Sequence, residues 1–417
     1  MGIIAIDSLS PQEVEVALKA HLDEKRATIL REPQGRLAHP YLVPGSYDQA
    51  WDWDTYFISV ALAGWAPAHR HIRGTVENFY ANMDEQGRAP RWVHPGKDFW
   101  TDPGMIGENF SNDLAKPFFA QTAYTYSQAT GDASWFKPYL EKQRAFLDRW
   151  RKERMGTNGL HVWANALESG GDNHPDVFGW PHFSIEGVDL AVFLIREHLA
   201  SAALAKACGE FSYFMQFASA ARFLLHQMES FLFDPEAEGF FNRYRPTGQF
   251  VRIESSVRFY PLWLAPFLTI PVEVRRKILK RDLLNPNKFW GPHGIRSVSM
   301  SDPLFNNFHG TSPSNCQGPV WINENYIHLC NLVSCGYSDE ALELAFRVQK
   351  LLLKDLETRG AMAECYHSET GEPLAVKGFV GWNLLALKFR EIALADHPNV
   401  HFHCLRAGIG TVAVEMH

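Results

Sequence analysis

The chain has 417 residues, 46% hydrophobic and 21% charged, with a formal net charge of −7 at pH 7. These values exclude a disordered chain and leave room for a large buried core, and without a long basic run no nucleic-acid partner is expected. Met1 to Asp7 offers no basic start ahead of an apolar stretch, and no apolar run reaches membrane-spanning length, so neither a signal peptide nor membrane contact is expected and the expected compartment is the cytoplasm.

Apolar spacing near 3.6 residues predicts helices along most of the chain. Ser10 as N-cap and Pro11 at the first helical position open the first one. Residues 54–66 read as a buried helix, which Pro67 breaks before an amphipathic helix over 68–84. Helices follow over 113–130, closed by Gly131-Asp132, and 133–154, with Trp135, Phe136, Leu140, Phe146, Leu147 and Trp150 inward. The spans 185–208 and 211–231 form a pair. The pattern continues over 256–268, 272–283, 320–335, 339–356 and 380–393. Short β pieces are expected, for example Gly239 to Tyr244. This predicts an all-α fold, a closed ring of six inner and six outer helices in one domain over 1–417. The long loops 86–112, 155–183, 284–317 and 357–379 would gather at one end and cap a site.

The six cysteines, at 208, 316, 330, 335, 365 and 404, are too scattered for a disulfide frame and read as free thiols. The nearest approach to metal-ligand spacing, His401-Phe402-His403-Cys404, reads better as a terminal strand, so no metal and no cofactor is expected. Aromatic content is high at 13%, with 13 Trp and 29 Phe. Such rings suit a core and also the faces of a sugar.

The segment Leu167-Glu168-Ser169-Gly170-Gly171-Asp172-Asn173-His174-Pro175 sets two carboxylates around a Gly-Gly bend, between Trp163 and the rings of Phe178 and Trp180. Glycines let a backbone turn sharply and a ligand approach closely. Acids beside rings suit a pocket that stacks a sugar and protonates a glycosidic oxygen. A second acid, Glu364, lies in Met362-Ala363-Glu364-Cys365-Tyr366. The two segments read as the halves of a glycosidase site.

Five pieces in order carry a resemblance. They are Trp51-Asp52-Trp53-Asp54-Thr55-Tyr56-Phe57, Gly87-Arg88-Ala89-Pro90-Arg91, Glu168 to Asn173, Gly318-Pro319-Val320-Trp321, and Glu364 with Thr370-Gly371-Glu372-Pro373. Together they resemble glycoside hydrolase family 63, in the short bacterial branch of glucosylglycerate and mannosylglycerate hydrolases. The resemblance implies an (α/α)6 barrel and an inverting reaction, with Asp172 as general acid and Glu364 as general base. Inversion requires the two carboxyl groups roughly 6.5–9.5 Å apart to admit a water. Aromatic packing should keep Asp172 protonated, and polar partners should keep Glu364 charged.

Trp51, Trp53, Trp321 and Trp382 are the expected walls of the sugar pocket. Asp54 is placed either to accept bonds from sugar hydroxyls or to cap a helix. Glu168, four positions from Asp172 on the same loop, is a rival acid but is expected rather to orient the loop or to touch a sugar hydroxyl. Glu369 and Glu372 are rivals for the base, in a turn where exposed acids are usual.

Some residues depart from the family pattern. Lys116 stands before Pro117 where relatives carry an amide, and is expected to sit near the substrate or to pair with Asp113. Gln317 replaces an Arg, and Lys377 to Trp382 lacks a pair of glutamines. Arg91, Arg243, Arg245, Arg258 and Arg296 are candidates to meet an aglycone carboxylate. The expected activity is hydrolysis of a small α-glucoside or α-mannoside, glucosylglycerate and mannosylglycerate among them. A trehalase-type α-glucosidase on a neutral disaccharide is the alternative. Outside hydrolysis stand a sugar-binding scaffold and a sugar epimerase using loop histidines (His94, His174, His182, His293, His309 or His367). The expected partner is a small carbohydrate, with self-association left open.

Overall fold

A computed structural model describes residues 6–101, 112–308 and 314–394. Twelve helices alternate between an inner and an outer ring. The outer members are α1 (Pro11–Lys25), α3 (His69–Ala81), α5 (Leu140–Arg154), α7 (Phe211–Phe231), α9 (Val272–Ile278) and α11 (Ser338–Arg359). The inner members are α2 (Asp52–Leu62), α4 (Phe119–Thr130), α6 (Val188–Ala207), the 3-10 helix α8 (Ser256–Leu264), α10 (Ile322–Ser334) and α12 (Ala386–Ala393). Contacts run α2 to α4, α4 to α6, α6 to α8, α8 to α10, α10 to α12 and α12 back to α2, which closes the ring. This is an (α/α)6 barrel.

Composition explains which helices are inner. α6 is apolar nearly all round and buried over most of its length, whereas α7 buries one stripe: Phe214, Phe217, Ala218, Ala221, Leu224 and Met228. α1 begins where expected. Ser10 accepts from the Glu13 amide while the Glu13 carboxylate accepts from the Ser10 amide, a reciprocal capping box ahead of Pro11. The six side chains expected inward between Trp135 and Trp150 are all buried.

Prolines account for most boundary differences. The helix expected from 113 starts at Phe119, because Pro117 disfavours helical backbone at Lys116. The span expected from 133 is a 3-10 stretch, Ser134–Tyr139, up to Pro138 and α-helical only from Leu140. Pro261 holds α8 in the 3-10 form. Helix 54–66 is Asp52–Leu62 instead, with Trp51 at the N-cap, so Asp54 is the third helical residue and not the cap.

Short strands brace the loops. β1 (Ala50–Trp51) pairs with β2 (Trp92–Val93). β3 (Val162–Trp163), β4 (Ile185–Glu186), β5 (Arg243–Tyr244) and β6 (Gln249–Phe250) form an antiparallel sheet in the order β6-β5-β4-β3. β7 (Ala363–Tyr366) and β8 (Pro373–Lys377) form a hairpin. A bridge from Tyr366 to Val320 fastens it to the start of α10. No described helix is long and apolar enough to cross a membrane. The five described cysteines are free, and Cys404 lies outside the described residues with the His401–Cys404 cluster.

Candidate active site

A small pocket is lined by Trp53 at the start of α2, Asp189 of α6, Trp321 and Glu324 at the start of α10, and Gly170 and Gly171. Asp52 and Asp54, Asp189 and Glu324 occupy first turns. Free amide groups and the positive end of the helix dipole favour carboxylates at those positions. Burial opposes ionisation there. It pushes Asp189 up to about 6, Glu324 up to about 7 and Asp176, on the neighbouring loop, up to about 8.

The expected acid loop is built from Glu168 upward. Residues Ala166–Ser169 make a single helical turn capped by Asn165, whose side chain accepts from the Glu168 amide. The fully buried Glu168 carboxylate accepts from Leu114 N at 2.7 Å, from Ala164 N at 2.5 Å and from Arg154 Nη2 at 2.9 Å. Its contacts therefore tie the loop to the scaffold, the first of the two roles expected of it. Gly170 then adopts φ +86°, where a Cβ would lie 2.7 Å from both Lys116 Cε and Trp53 Cζ2. That close approach requires glycine and delivers Asp172 next in the chain.

Lys116 does not pair with Asp113. Its ammonium lies 3.2 Å and 3.3 Å from the two oxygens of Asp52, which also accepts from the Lys116 amide at 2.7 Å, while Asp113 takes Arg91 at 2.9 Å. The Lys116 nitrogen stands 5.0 Å from the Trp53 ring centre, within reach of its π face. Burial lowers its pKa and Asp52 opposes that shift.

Residues 314–317 connect the acid loop to the β7 strand. Asn173 Nδ2 donates to Asn315 Oδ1 at 3.0 Å, Cys316 N donates to Asn173 Oδ1 at 2.7 Å, and Gln317 Nε2 donates to Asn173 O at 2.9 Å. From the same segment Ser314 Oγ donates to Glu364 Oε2 at 3.1 Å. Gln317 Oε1 accepts from Asn306 Nδ2, so both ends of its amide bond protein groups. Glu364 was expected to stay charged. Burial, then the charge of Asp172, instead push it up to about 7, against the opposing bond from Ser314.

Three of the four tryptophans lie together, and Trp51 packs instead against Tyr47 and the Trp92–Phe99 pair. Trp382 lies edge-on to Trp53 at 6.0 Å and 5.8 Å from Trp321, and its indole donates to Glu364 O at 3.2 Å. Trp321 donates to Asn315 O at 3.0 Å. Trp51 Nε1 is buried with no acceptor among the described residues. Asp54 is buried and its pKa rises well above the ordinary value, through burial first and then Asp52 and Glu364.

The five loop arginines are committed elsewhere. Arg91 takes Asp113, Arg245 takes Glu186 at 3.1 Å, and buried Arg258 faces Asp282 and Glu254. Arg296 grips Glu369 through two bonds of 2.6 and 2.9 Å, which makes this rival base an ion-pair partner. Arg243 donates to Gly248 O and lies over the Phe231 ring at the end of α7. Glu372 is exposed.

Two of the histidines serve turns, and His174 lines the pocket with its Nδ1 3.6 Å from Asp176. His94 Nδ1 accepts from Gly96 N, and His367 Nδ1 accepts from Glu369 N. His182 lies edge-on to Phe183, and His293 packs against Gly371. Burial lowers His174 to about 4, leaving it neutral, and His309 lies outside the described residues. No group of three or more metal-ligating side chains is arranged to hold an ion among the described residues.

Two site residues went unread in the sequence. Tyr47 has its pKa raised by burial and then by Glu364, Asp54 and Asp172, so its hydroxyl stays protonated among three carboxyls; it packs against Trp51 and Phe379. Ser314 has no local signal and is found only through its bond to Glu364.

Comparison with known proteins gives the class and then the family. The fold matches a family 63 mannosylglycerate hydrolase from Thermus thermophilus in complex with glucose, at 19% identity and a TM-score of 0.68, covering 90% of this chain and 99% of that one. It also matches a neutral trehalase from Saccharomyces cerevisiae at 15% identity and a TM-score of 0.64, covering 90% and 76%. A curated relative from Schizosaccharomyces pombe, a probable mannosyl-oligosaccharide glucosidase, is 32% identical over 111 residues, which are 24% of this chain and 13% of that protein. This chain is a glycoside hydrolase. The family of the mannosylglycerate hydrolase MGH1-like glycoside hydrolase domain matches over residues 47–382, and the chain belongs to it.

Proposed function

We propose that the chain is an inverting α-glycosidase of a small α-glucoside or α-mannoside. Asp172 is the general acid and Glu364 the general base. The observation that supports this reading is the 314–317 segment, which bonds both Asn173, beside Asp172, and Glu364 itself, and Asp172 lies near enough to Glu364 to raise its pKa.

Glu364 takes a proton from water as the water oxygen bonds to the anomeric carbon. The bond from that carbon to the glycosidic oxygen breaks, and Asp172 delivers its proton to the leaving oxygen. A base with a pKa of about 7 is a stronger proton acceptor than an ordinary carboxylate and is still substantially ionised at neutral pH. Tyr47 and the Trp51 indole supply donors, Asp54 an acceptor, and Trp53, Trp321 and Trp382 the apolar walls of the sugar pocket. Lys116, Glu168 and Gln317 hold these groups in position. The glucose in the Thermus thermophilus complex supports a hexose in the pocket of this chain.

The test is sugar release from α-glucosides and α-mannosides, with the first-formed anomer read by NMR. Asp172→Asn and Glu364→Gln should each fold and lose about 10²–10⁴-fold in kcat. The wild type should form the β-anomer first. A retained rate in either variant removes that residue from its role, and an α-anomer formed first removes inversion.

A further inference from the structure

We infer that the natural aglycone is uncharged and presents an apolar face, as a second sugar ring does, rather than carrying a carboxylate as glycerate does. The inference rests on the glycosidase reading above.

The first observation is where the cations are. A carboxylate in a mostly enclosed site needs a positive partner, and Arg is the usual one because its fork matches the carboxylate. The six cations that the sequence singled out for an aglycone carboxylate or the substrate already have other engagements. Arg91, Arg245, Arg258 and Arg296 face protein carboxylates, Lys116 is locked on Asp52, and Arg243 lies over Phe231. Residues 102–111 and 309–313 contain no Lys or Arg. Lys377 is exposed, but its register opposite Ala363 sets it on the hairpin face away from Glu364.

The second observation is the crowding of buried acids. Asp52, Asp54, Glu324 and Glu364 are all buried in this part of the barrel. A further carboxylate brought among them must give up its water as well.

The third observation is the rim. Phe308 is 76% exposed and stands edge-on to His367, in the turn that follows the Glu364 strand. Leu304 is 47% exposed, on the same loop. That loop is fastened on both sides, by Asn306 to Gln317 and by Asn307 to Ser368. Phe178, 44% exposed, follows the acid loop. Exposed apolar side chains on these loops suit the C–H face of a neutral ring.

The test uses matched pairs that differ only in a carboxylate replaced by a hydroxymethyl group: glucosylglycerate with glucosylglycerol, and mannosylglycerate with mannosylglycerol. Trehalose, kojibiose and nigerose are run beside them. We expect at least a tenfold higher kcat/KM for the glycerol conjugate of the pair whose sugar is accepted, and the highest value for a disaccharide. Equal or faster hydrolysis of the glycerate conjugate overturns the inference. If nothing is hydrolysed, the glycosidase reading fails on its own. Calorimetric binding of the same pairs to the wild-type chain then decides the aglycone: tighter binding of the glycerol conjugate upholds the inference, and tighter binding of the glycerate conjugate overturns it. Phe308→Ala should raise KM for the disaccharide severalfold with kcat nearly unchanged, and an unchanged KM removes the rim from the argument.

Discussion

A carboxyl group that must take a proton from water works best when its pKa lies near the working pH, and burial brings Glu364 there. The activity of the free enzyme should therefore fall on the acid side of an apparent pKa of about 7 in kcat/KM, because the base must be ionised to act. An acid limb near pH 4.5 instead would mean that substrate-free Glu364 is an ordinary solvated carboxylate. Lys116 makes a separate prediction. Its ammonium is the cation bonded to the buried Asp52 carboxylate, so Lys116→Met leaves that charge without its partner and should cost about 3–5 kcal/mol of stability. Adding Asp52→Asn should restore most of the loss in urea melts. Equal stability of the single and double variants would contradict the pairing. The sequence offered Asp113 as partner because it is three residues away, and the fold chose a residue 64 positions away.

At the scale of elements, the barrel separates helices that bear stability from the loop that carries the site. Ser10→Ala removes the capping box of outer helix α1, should cost about 1 kcal/mol, and should leave kcat unchanged. Gly170→Ala acts in the other direction. It puts a Cβ against Lys116 and Trp53 in a left-handed backbone position, and the loop must shift to relieve the contact. Since misplacing a reacting group by about 1 Å can cost on the order of 10²-fold in rate, kcat should fall far more than the melting temperature does. A Gly170→Ala enzyme of wild-type kcat would show that this bend does not position Asp172. The start of α1 and the limits of α7 were legible in the sequence because caps and apolar period are local signals. Pro117 marks the start of α4 locally, but its cap was not legible. Its first amides, at Ala120 and Gln121, bond the Glu197 carboxylate on α6, a cap supplied from a neighbouring helix that no local pattern announces.

For the whole molecule, the closed ring was legible because inner helices read as apolar on all sides and outer ones on one stripe. The two acids were legible through their motifs. The segment joining them was not, since bonds between Asn173 and residues 315–317 span more than 140 positions. Nor did the sequence reveal how many acids the barrel buries, and this governs how stability depends on pH. Asp176 is raised to about 8, Glu197, Glu324 and Glu364 to about 7, and Asp189 to about 6, in each case chiefly by burial. Unfolded, these groups release their protons near pH 4; folded, they keep them until pH 6 to 8. Between those limits the folded chain binds more protons than the unfolded one, so stability falls as pH rises through that window. Glu369, whose pKa Arg296 lowers, acts oppositely and gives up its contribution as pH falls below the ordinary carboxylate range. Buried His161, His174, His198 and His328, which burial keeps neutral, also lose stability as pH falls below the ordinary histidine range, so stability should be greatest between about pH 5 and 6.5 and fall toward pH 8.5. Activity needs Glu364 ionised while Asp172 keeps its proton, and the Glu364 limb makes it fall as pH drops below about 7. The enzyme should therefore be most active on the side where it is less stable, a conflict set up by burying the base. Thermal melts at pH 5.5 and 8.5 check this: the melting temperature should be higher at pH 5.5, and Glu364→Gln should narrow the gap. A wild-type melting temperature that rises toward pH 8.5 would mean that these acids are ionised in the folded barrel.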